Sequence, residues 1–309
     1  SEADEPMLVV GDQIARGGQS TVEAVIELAE ETGARVHSEI LSTEVNFPMD
    51  HDLWVSHMPE SFAEARALHE TDAVVLVGCS THTPTLAHDE PLVPSSATAV
   101  HIGPDSWELA KNEPADVAIS GALRPIIEDL TRRVSGRVSD EQLAARRERI
   151  DEVRDWVGEN IQRPPSNGSD AISKIELIET MEKAVPDAYI VDESVTTRYA
   201  LLSEWDLQPG QLFGNKSGGL GYGLPAAIGA ALAEDDRPVI GLLGDGSYLY
   251  YPHSMYAAAR YNLDLTVVIS NNRNYRILKD NALRILGGND DDHEFIGMDI
   301  EPGVDFAAN

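Results

Sequence analysis

Short apolar runs and amphipathic stretches alternate along this chain at the rhythm of a parallel α/β sheet. Met7 to Val10 is a short apolar strand, punctuated by Gly11 and Gly17-Gly18, and an amphipathic stretch from Thr21 to Thr32 follows and stops at Gly33. Val36 begins a second strand, Phe62 to Glu70 has the helical period, Ala73 to Val77 and Ala97 to Ile102 read as buried strands, and Gly121 to Val134 closes the half as a helix. Charge-rich helical sequence then runs from Asp140 to Ile161 and ends in Arg163-Pro164-Pro165-Ser166-Asn167-Gly168-Ser169, where two prolines stop a helix and small polar residues favour a connector. Beyond it the alternation resumes: helix Ala171 to Ala184, strands Ala188 to Val191 and Gln211 to Phe213, helix Leu224 to Ala233, strand Pro238 to Leu243, helix Tyr256 to Tyr261 and strand Leu265 to Ser270. The predicted fold class is α/β: two parallel-sheet, nucleotide-fold-like domains with helices on both faces, joined through residues 135–170.

Composition fits that reading. A chain of 309 residues with 42% hydrophobic positions is long enough for two cores. It holds no apolar run near the ~20 residues that span a bilayer. Its opening, Ser-Glu-Ala-Asp-Glu-Pro, carries neither the basic nor the apolar region of a secretory signal, so a cytoplasmic protein is expected. The single cysteine, Cys79, sits at the end of an apolar run and is expected to be a buried small residue rather than a nucleophile. Charge changes the picture most: 53 acidic against 23 basic residues give a net charge of −30. Such a chain lacks the basic face that polyanions need, which excludes nucleic acid as a partner. The acid is spread rather than gathered into a tail, which predicts adaptation to high salt, a halophilic protein.

The candidate chemistry lies in the second half. Val239 to Leu243 is a buried strand that runs into Gly244-Asp245-Gly246-Ser247, at the carboxyl end where ligands of open α/β sheets bind. The glycines let the backbone approach a phosphate. An acid there repels the phosphate unless a cation lies between them, so Asp245 argues for Mg²⁺ or Ca²⁺. The strand Leu265 to Ser270 ends in Asn271-Asn272, and residues 247–270, 24 in all, separate the two motifs. One crossover helix and one strand fill that length, so Asp245 and Asn272 can share one ion, completed by a loop carbonyl such as that of Asn274. A Gly-Asp-Gly turn or an Asn-Asn pair by itself is an ordinary turn or cap, and the specificity lies in the pairing.

That paired signature, with Ser217-Gly218-Gly219-Leu220-Gly221-Tyr222-Gly223-Leu224-Pro225 upstream and Asp192-Glu193-Ser194 before it, resembles the thiamine-diphosphate (ThDP) enzymes of the benzoylformate decarboxylase and acetolactate synthase kind. The resemblance continues to Gly303-Val304-Asp305-Phe306, and it reaches the first half through Val9-Val10-Gly11 and the strand from Asp72 to Gly78. It implies a central, Rossmann-like domain at 1–134, a helical linker at 135–170 and a diphosphate-binding domain at 171–309 that lacks its final β-α unit. It implies metal ligation by Asp245, Asn272 and the carbonyl of Asn274, and cofactor binding by Thr196, Gly219, Leu220, Gly244, Gly246, Ser247, Asn274 and Tyr275. Leu220 matches the bulky wedge that bends the cofactor. Of the histidines, His82 follows a strand end but is offset from the family's central-domain histidine, where Thr85 stands, so it is expected to be a surface loop residue.

The cofactors implied are ThDP and Mg²⁺; FAD, which acetolactate synthases place in the central domain, has no sharp signature here. The family's catalytic glutamate belongs to an N-terminal pyrimidine-binding domain, so a fragment or a subunit needing a partner is expected, inactive alone on 2-oxo acids. The family builds sites between subunits, so a homodimer or homotetramer is expected. Acetolactate synthase and a non-catalytic nucleotide-binding or regulatory module stay open as alternatives. If the acid serves high salt, molar KCl should raise the unfolding temperature by about 3 °C or more over dilute buffer. Equal midpoints in the two buffers would overturn that expectation.

Overall fold

A computed structural model of the chain describes residues 2–80, 82–161, 172–216 and 218–308. The connector 163–169, Ala171 and Ser217 therefore lie outside the described residues. The chain divides into two compact units, one of residues 1–162 with 206–210 and one of 163–205 with 211–309.

The first unit holds β1 (Pro6–Val10), α1 (Gln13–Arg16), α2 (Gln19–Thr32), β2 (Arg35–Ser38), β3 (Trp54–His57), α3 (Phe62–Leu68), β4 (Ala73–Val77), β5 (Thr98–Gly103), β6 (Val117–Ser120), α4 (Leu123–Val134) and α5 (Asp140–Asn160). The six strands are all parallel, in the order β3-β2-β1-β4-β5-β6. The order reverses between β1 and β4, which makes their carboxyl ends the switch point. Met7, Leu8, Val9 and Val10 are all buried, so both faces of β1 are covered, as parallel sheets require. On one face Met7 and Val9 join a core with Ala65 and Leu68 of α3. Val153, Trp156 and Val157 lay α5 against that same core. Ser139 starts α5 with a capping box to Gln142.

At the switch point the chain packs tightly: a Cβ on Gly11 would stand 2.4 Å from the carbonyl oxygen of Gly78. Two buried carboxylates seal the turn. Asp12 accepts the hydroxyls of Ser42 and Thr43, the amides of Thr43 and Glu44 and the side-chain amide of Asn46. Glu39 accepts the amides of Asp12 and Ser80. Cys79 is buried, as the apolar run before it implied.

His82 departs from the sequence expectation. It is 4% exposed, and its Nε2 lies 2.9 Å from Nε2 of His69, the C-cap of α3. The reason is local: His69 gives its Nδ1–H to the carbonyl of Ala65, so its Nε2 is left as an acceptor buried among apolar side chains, and the imidazole of His82 supplies the donor. Thr85 instead donates its hydroxyl to Glu60 at the surface.

The second unit holds α6 (Lys174–Ala184), β7 (Tyr189–Glu193), α7 (Arg198–Glu204), β8 (Leu212–Phe213), α8 (Gly223–Ala233), β9 (Val239–Gly244), α9 (Asp245–Tyr248), α10 (Met255–Tyr261), β10 (Leu265–Ser270) and α11 (Arg276–Leu286). Its four parallel strands run β10-β9-β7-β8, so the switch point lies between β7 and β9. Leu224 and Ile228 of α8 pack on Leu243, Tyr248 and Ala258. Both sheets are parallel throughout, the α/β class the alternation implied. No helix among the described residues is long and apolar enough to cross a membrane.

Burial holds the pKa of His69 down at about 4, against the pull of the Ala65 carbonyl and with help from Arg35 and Arg66. The unfolded histidine titrates near 6.5. Its stabilising contribution is therefore complete above about pH 6.5 and is lost as pH falls toward 4, because the unfolded chain binds the proton first. Acid also relieves repulsion among carboxylates, so the comparison to make is with His69→Gln. In urea unfolding the wild type should lose more stability between pH 7 and 5 than the variant, by about 1 kcal/mol or more. Parallel pH profiles would count against it.

Candidate functional site

The strands of the second unit end together. Gly244 of β9 pairs with Ser270 of β10, and Glu193 of β7 pairs with Leu243 of β9. The residues that follow each tip, Ser194, Asp245 and Asn271, are thus brought to one edge of the sheet by register alone.

Asp245 opens α9 and is 3% exposed. Its Oδ1 accepts the amide of Gly246 at 2.8 Å, and its Oδ2 accepts the amide of Arg273 at 2.6 Å. The second bond ties the Gly-Asp-Gly turn to the residue directly after Asn272. A carboxylate has about four lone-pair sites, and these bonds use two of them. Asp12 in the first unit is saturated by its ring of donors, whereas Asp245 keeps acceptor capacity for a cation.

The other predicted ligands lie on the loop that the Arg273 amide ties to it. Asn272 is exposed, and its Oδ1 accepts the amide of Asn274 at 3.0 Å. Asn274 donates its Nδ2 to the carbonyl of Asn272 at 2.8 Å, and its own buried Oδ1 finds no partner among the described residues. The set is one carboxylate, one amide oxygen and backbone carbonyls. These hard oxygen ligands suit Mg²⁺ or Ca²⁺ when phosphate oxygens complete the shell. No cluster of three or more His, Cys, Asp or Glu that could hold a metal occurs among the described residues, so this site has no competitor of that kind.

The walls of the site are built on glycines with tight neighbours. A Cβ on Gly246 would stand 2.5 Å from the ring of Tyr275, the residue that precedes α11. Ser247 is buried one position later. Gly221 has φ +99° and lies against Tyr250 and Tyr251, where a Cβ would come within 2.6 Å of each. Gly219 is exposed and Leu220 half-buried on this loop. Thr196 is nearly buried after β7, its carbonyl accepts Lys174 Nζ at 3.4 Å, and the hydroxyl of Thr197 meets that of Ser270 at 2.6 Å. Val195 and Arg273, each in a loop leaving a strand tip, are left-handed at φ +56° and +58°. Such strain costs about 1–3 kcal/mol per residue and persists only where the surroundings over-determine the loop.

Two further acids, Asp192 and Glu193, enter the sequence reading only as part of the family resemblance, with no role assigned. Asp192 bonds Ser194 and forms a 2.7 Å ion pair with Arg198, while Glu193 accepts two amides of the glycine-rich loop. The signal available was an acid pair at the end of an apolar strand, which is costly unless donors meet it. The identity of those donors was not available.

Comparison with known proteins gives the same geography. Residues 1–130 match the family described as thiamine pyrophosphate enzyme, central domain, and residues 197–309 match thiamine pyrophosphate enzyme, C-terminal TPP binding domain. The chain is 28% identical over 313 residues to benzoylformate decarboxylase of Pseudomonas aeruginosa, covering 100% of this chain and 54% of that protein. It is 31% identical over 209 residues to the acetolactate synthase large subunit of Parasynechococcus marenigrum, covering 67% of this chain and 33% of that protein. Among solved structures it resembles the thiamine diphosphate-dependent 4-hydroxybenzoylformate decarboxylase of Rhodococcus jostii RHA1, with a TM-score of 0.79 and 28% identity over 99% of this chain and 54% of that one. The chain thus spans about half the length of these decarboxylases.

Proposed function

We propose a function from one premise: the chain belongs to the thiamine pyrophosphate enzyme family, whose central and C-terminal TPP-binding domains it matches in turn. It carries the diphosphate-and-magnesium half of a ThDP site in an enzyme that decarboxylates or ligates 2-oxo acids. The observation that carries this is the 2.6 Å bond from the Arg273 amide to Asp245, which puts the two ligand-bearing strand tips within one hydrogen bond of each other.

In this reading Asp245, Asn272 and the carbonyl of Asn274 hold Mg²⁺. Gly244, Gly246, Ser247, Thr196, Asn274 and Tyr275 surround the diphosphate. Gly246 serves there because any side chain would meet the Tyr275 ring. Gly219 and Leu220 face the thiamine rings, and the bulk of Leu220 supports the bent form of the cofactor. When bound, ThDP supplies the nucleophilic carbon and the electron sink that 2-oxo-acid chemistry needs. The chain's own residues bind the anionic tail, orient it and keep water from it.

A decarboxylase of benzoylformate type is favoured by a match that runs the whole chain, whereas acetolactate synthase matches reach 88% of it. The substrate is read as a small 2-oxo acid, and the working assembly as a homo-oligomer that includes a pyrimidine-binding domain.

Titration calorimetry of this chain with ThDP and Mg²⁺ tests the reading. Binding should require the metal, and Asp245→Ala should weaken it by more than about a hundredfold. Asn272→Ala, at an exposed position that cannot disturb the core, should also weaken it, by about tenfold or more. Unchanged affinity in both folded variants would refute the site.

A further inference from the structure

The glycine-rich loop that carries Leu220 is held by a carboxylate that the proposed chemistry does not use. Glu193 is the last residue of β7, at the switch point between β7 and β9, and is 6% exposed. Its Oε1 accepts the amide of Gly221 at 2.5 Å and its Oε2 accepts the amide of Gly223 at 2.7 Å. Between those glycines the phenol of Tyr222 donates to the carbonyl of Asp192, so three consecutive residues are tied to one strand end. No cation pairs with Glu193 among the described residues, and its nearest charged neighbour in effect, Asp192, repels it. Its partners are therefore the loop's backbone amides, Gly221 and Gly223 by close hydrogen bonds and Tyr222 between them.

Burying a carboxylate on neutral donors is costly, and a merely structural tie could use a neutral side chain. What a carboxylate alone offers is two acceptors and no donor. A glutamine of the same shape has one acceptor, and its amide nitrogen would face an N–H of the loop. The loop needs this grip because its backbone is unusual: Gly218 and Gly221 have φ +67° and +99°, conformations glycine visits but does not prefer over others. Without the two amide bonds the segment from 218 to 223 has many accessible shapes, and the side chain of Leu220 would have no set direction.

We infer that Glu193 is a positioning residue: by clamping the Gly221 and Gly223 amides it fixes Leu220 in place before cofactor binds, so that the thiamine rings meet a preformed wedge. The role rests on the ThDP reading of the site. It is separate from the grip on the metal, which Asp245 and Asn272 supply from other strand tips.

The experiment compares Glu193→Gln, Glu193→Asp and Leu220→Ala with the wild-type chain, after thermal melts have shown each to be folded. Amide hydrogen exchange at Gly221 and Gly223 is read without ligand. Calorimetry then measures ThDP with Mg²⁺ and, separately, magnesium pyrophosphate, which has the anionic tail and no rings. Glu193→Gln should speed exchange at both amides about tenfold or more and weaken ThDP about tenfold, with magnesium pyrophosphate changed less than about twofold. Glu193→Asp, which keeps both acceptors on a shorter stem, should fall between, and it serves alone if Glu193→Gln does not fold. Leu220→Ala should weaken ThDP and leave exchange at the two amides as in wild type. Unchanged ThDP affinity in the Glu193 variants, or equal loss of ThDP and pyrophosphate, overturns the role of Glu193 alone. A wild-type chain that binds magnesium pyrophosphate but no ThDP overturns the cofactor reading, and this role with it.

Discussion

The second unit depends on one constraint: parallel strands that end in register deliver their next residues to the same place. Gly244 opposite Ser270 and Glu193 opposite Leu243 leave the chain no choice about where Asp245, Asn271 and Ser194 emerge. The bond from the Arg273 amide to Asp245 then closes the gap between two loops that leave the sheet independently. Shifting β10 by one residue against β9 would turn every β10 side chain to the opposite face and would break that bond.

Electrostatics makes the arrangement informative. A chain with net charge −30 opposes a further anion, and its three acids at this edge, Asp192, Glu193 and Asp245, oppose it locally. Two of them are already committed, Asp192 to Arg198 and Ser194, and Glu193 to loop amides. Asp245 keeps about two lone-pair sites at the strand tip tied to the Asn272 loop. A diphosphate can settle beside it only if a divalent cation joins the two. The metal proposed for this site is the one that charge balance calls for.

The first unit shows the same device put to another use. Its switch point is also sealed by strand-end carboxylates, but there Asp12 is filled by donors from residues 42–46, and Glu39 takes the amides of Asp12 and Ser80. The oxygens of Asp12 are thereby committed to the fold. Backbone amides satisfying buried acids therefore serve as scaffold in one unit and, around Asp245, as the frame of the proposed binding site in the other.

Much of this was legible in the sequence. Alternating apolar and amphipathic segments implied parallel sheets, and a crossover-length spacing implied that Gly-Asp-Gly and Asn-Asn sit on adjacent strands, because one helix and one strand fill that distance in a single way. The short strands β3 and β6 escaped notice, since Trp-Val-Ser-His and Val-Ala-Ile-Ser are too brief and too mixed to show a period, and β6 is largely exposed. So did α11, whose amphipathic stripe faces solvent in part and whose start is set by the Asn-Arg-Asn-Tyr loop. Only the tertiary structure decided that His82 is buried against His69 and that Glu193 clamps a loop 28 to 30 residues further on. Periodicity reports which face of an element is apolar. It is silent on buried polar groups, because their place is set by donors that folding brings from elsewhere in the chain.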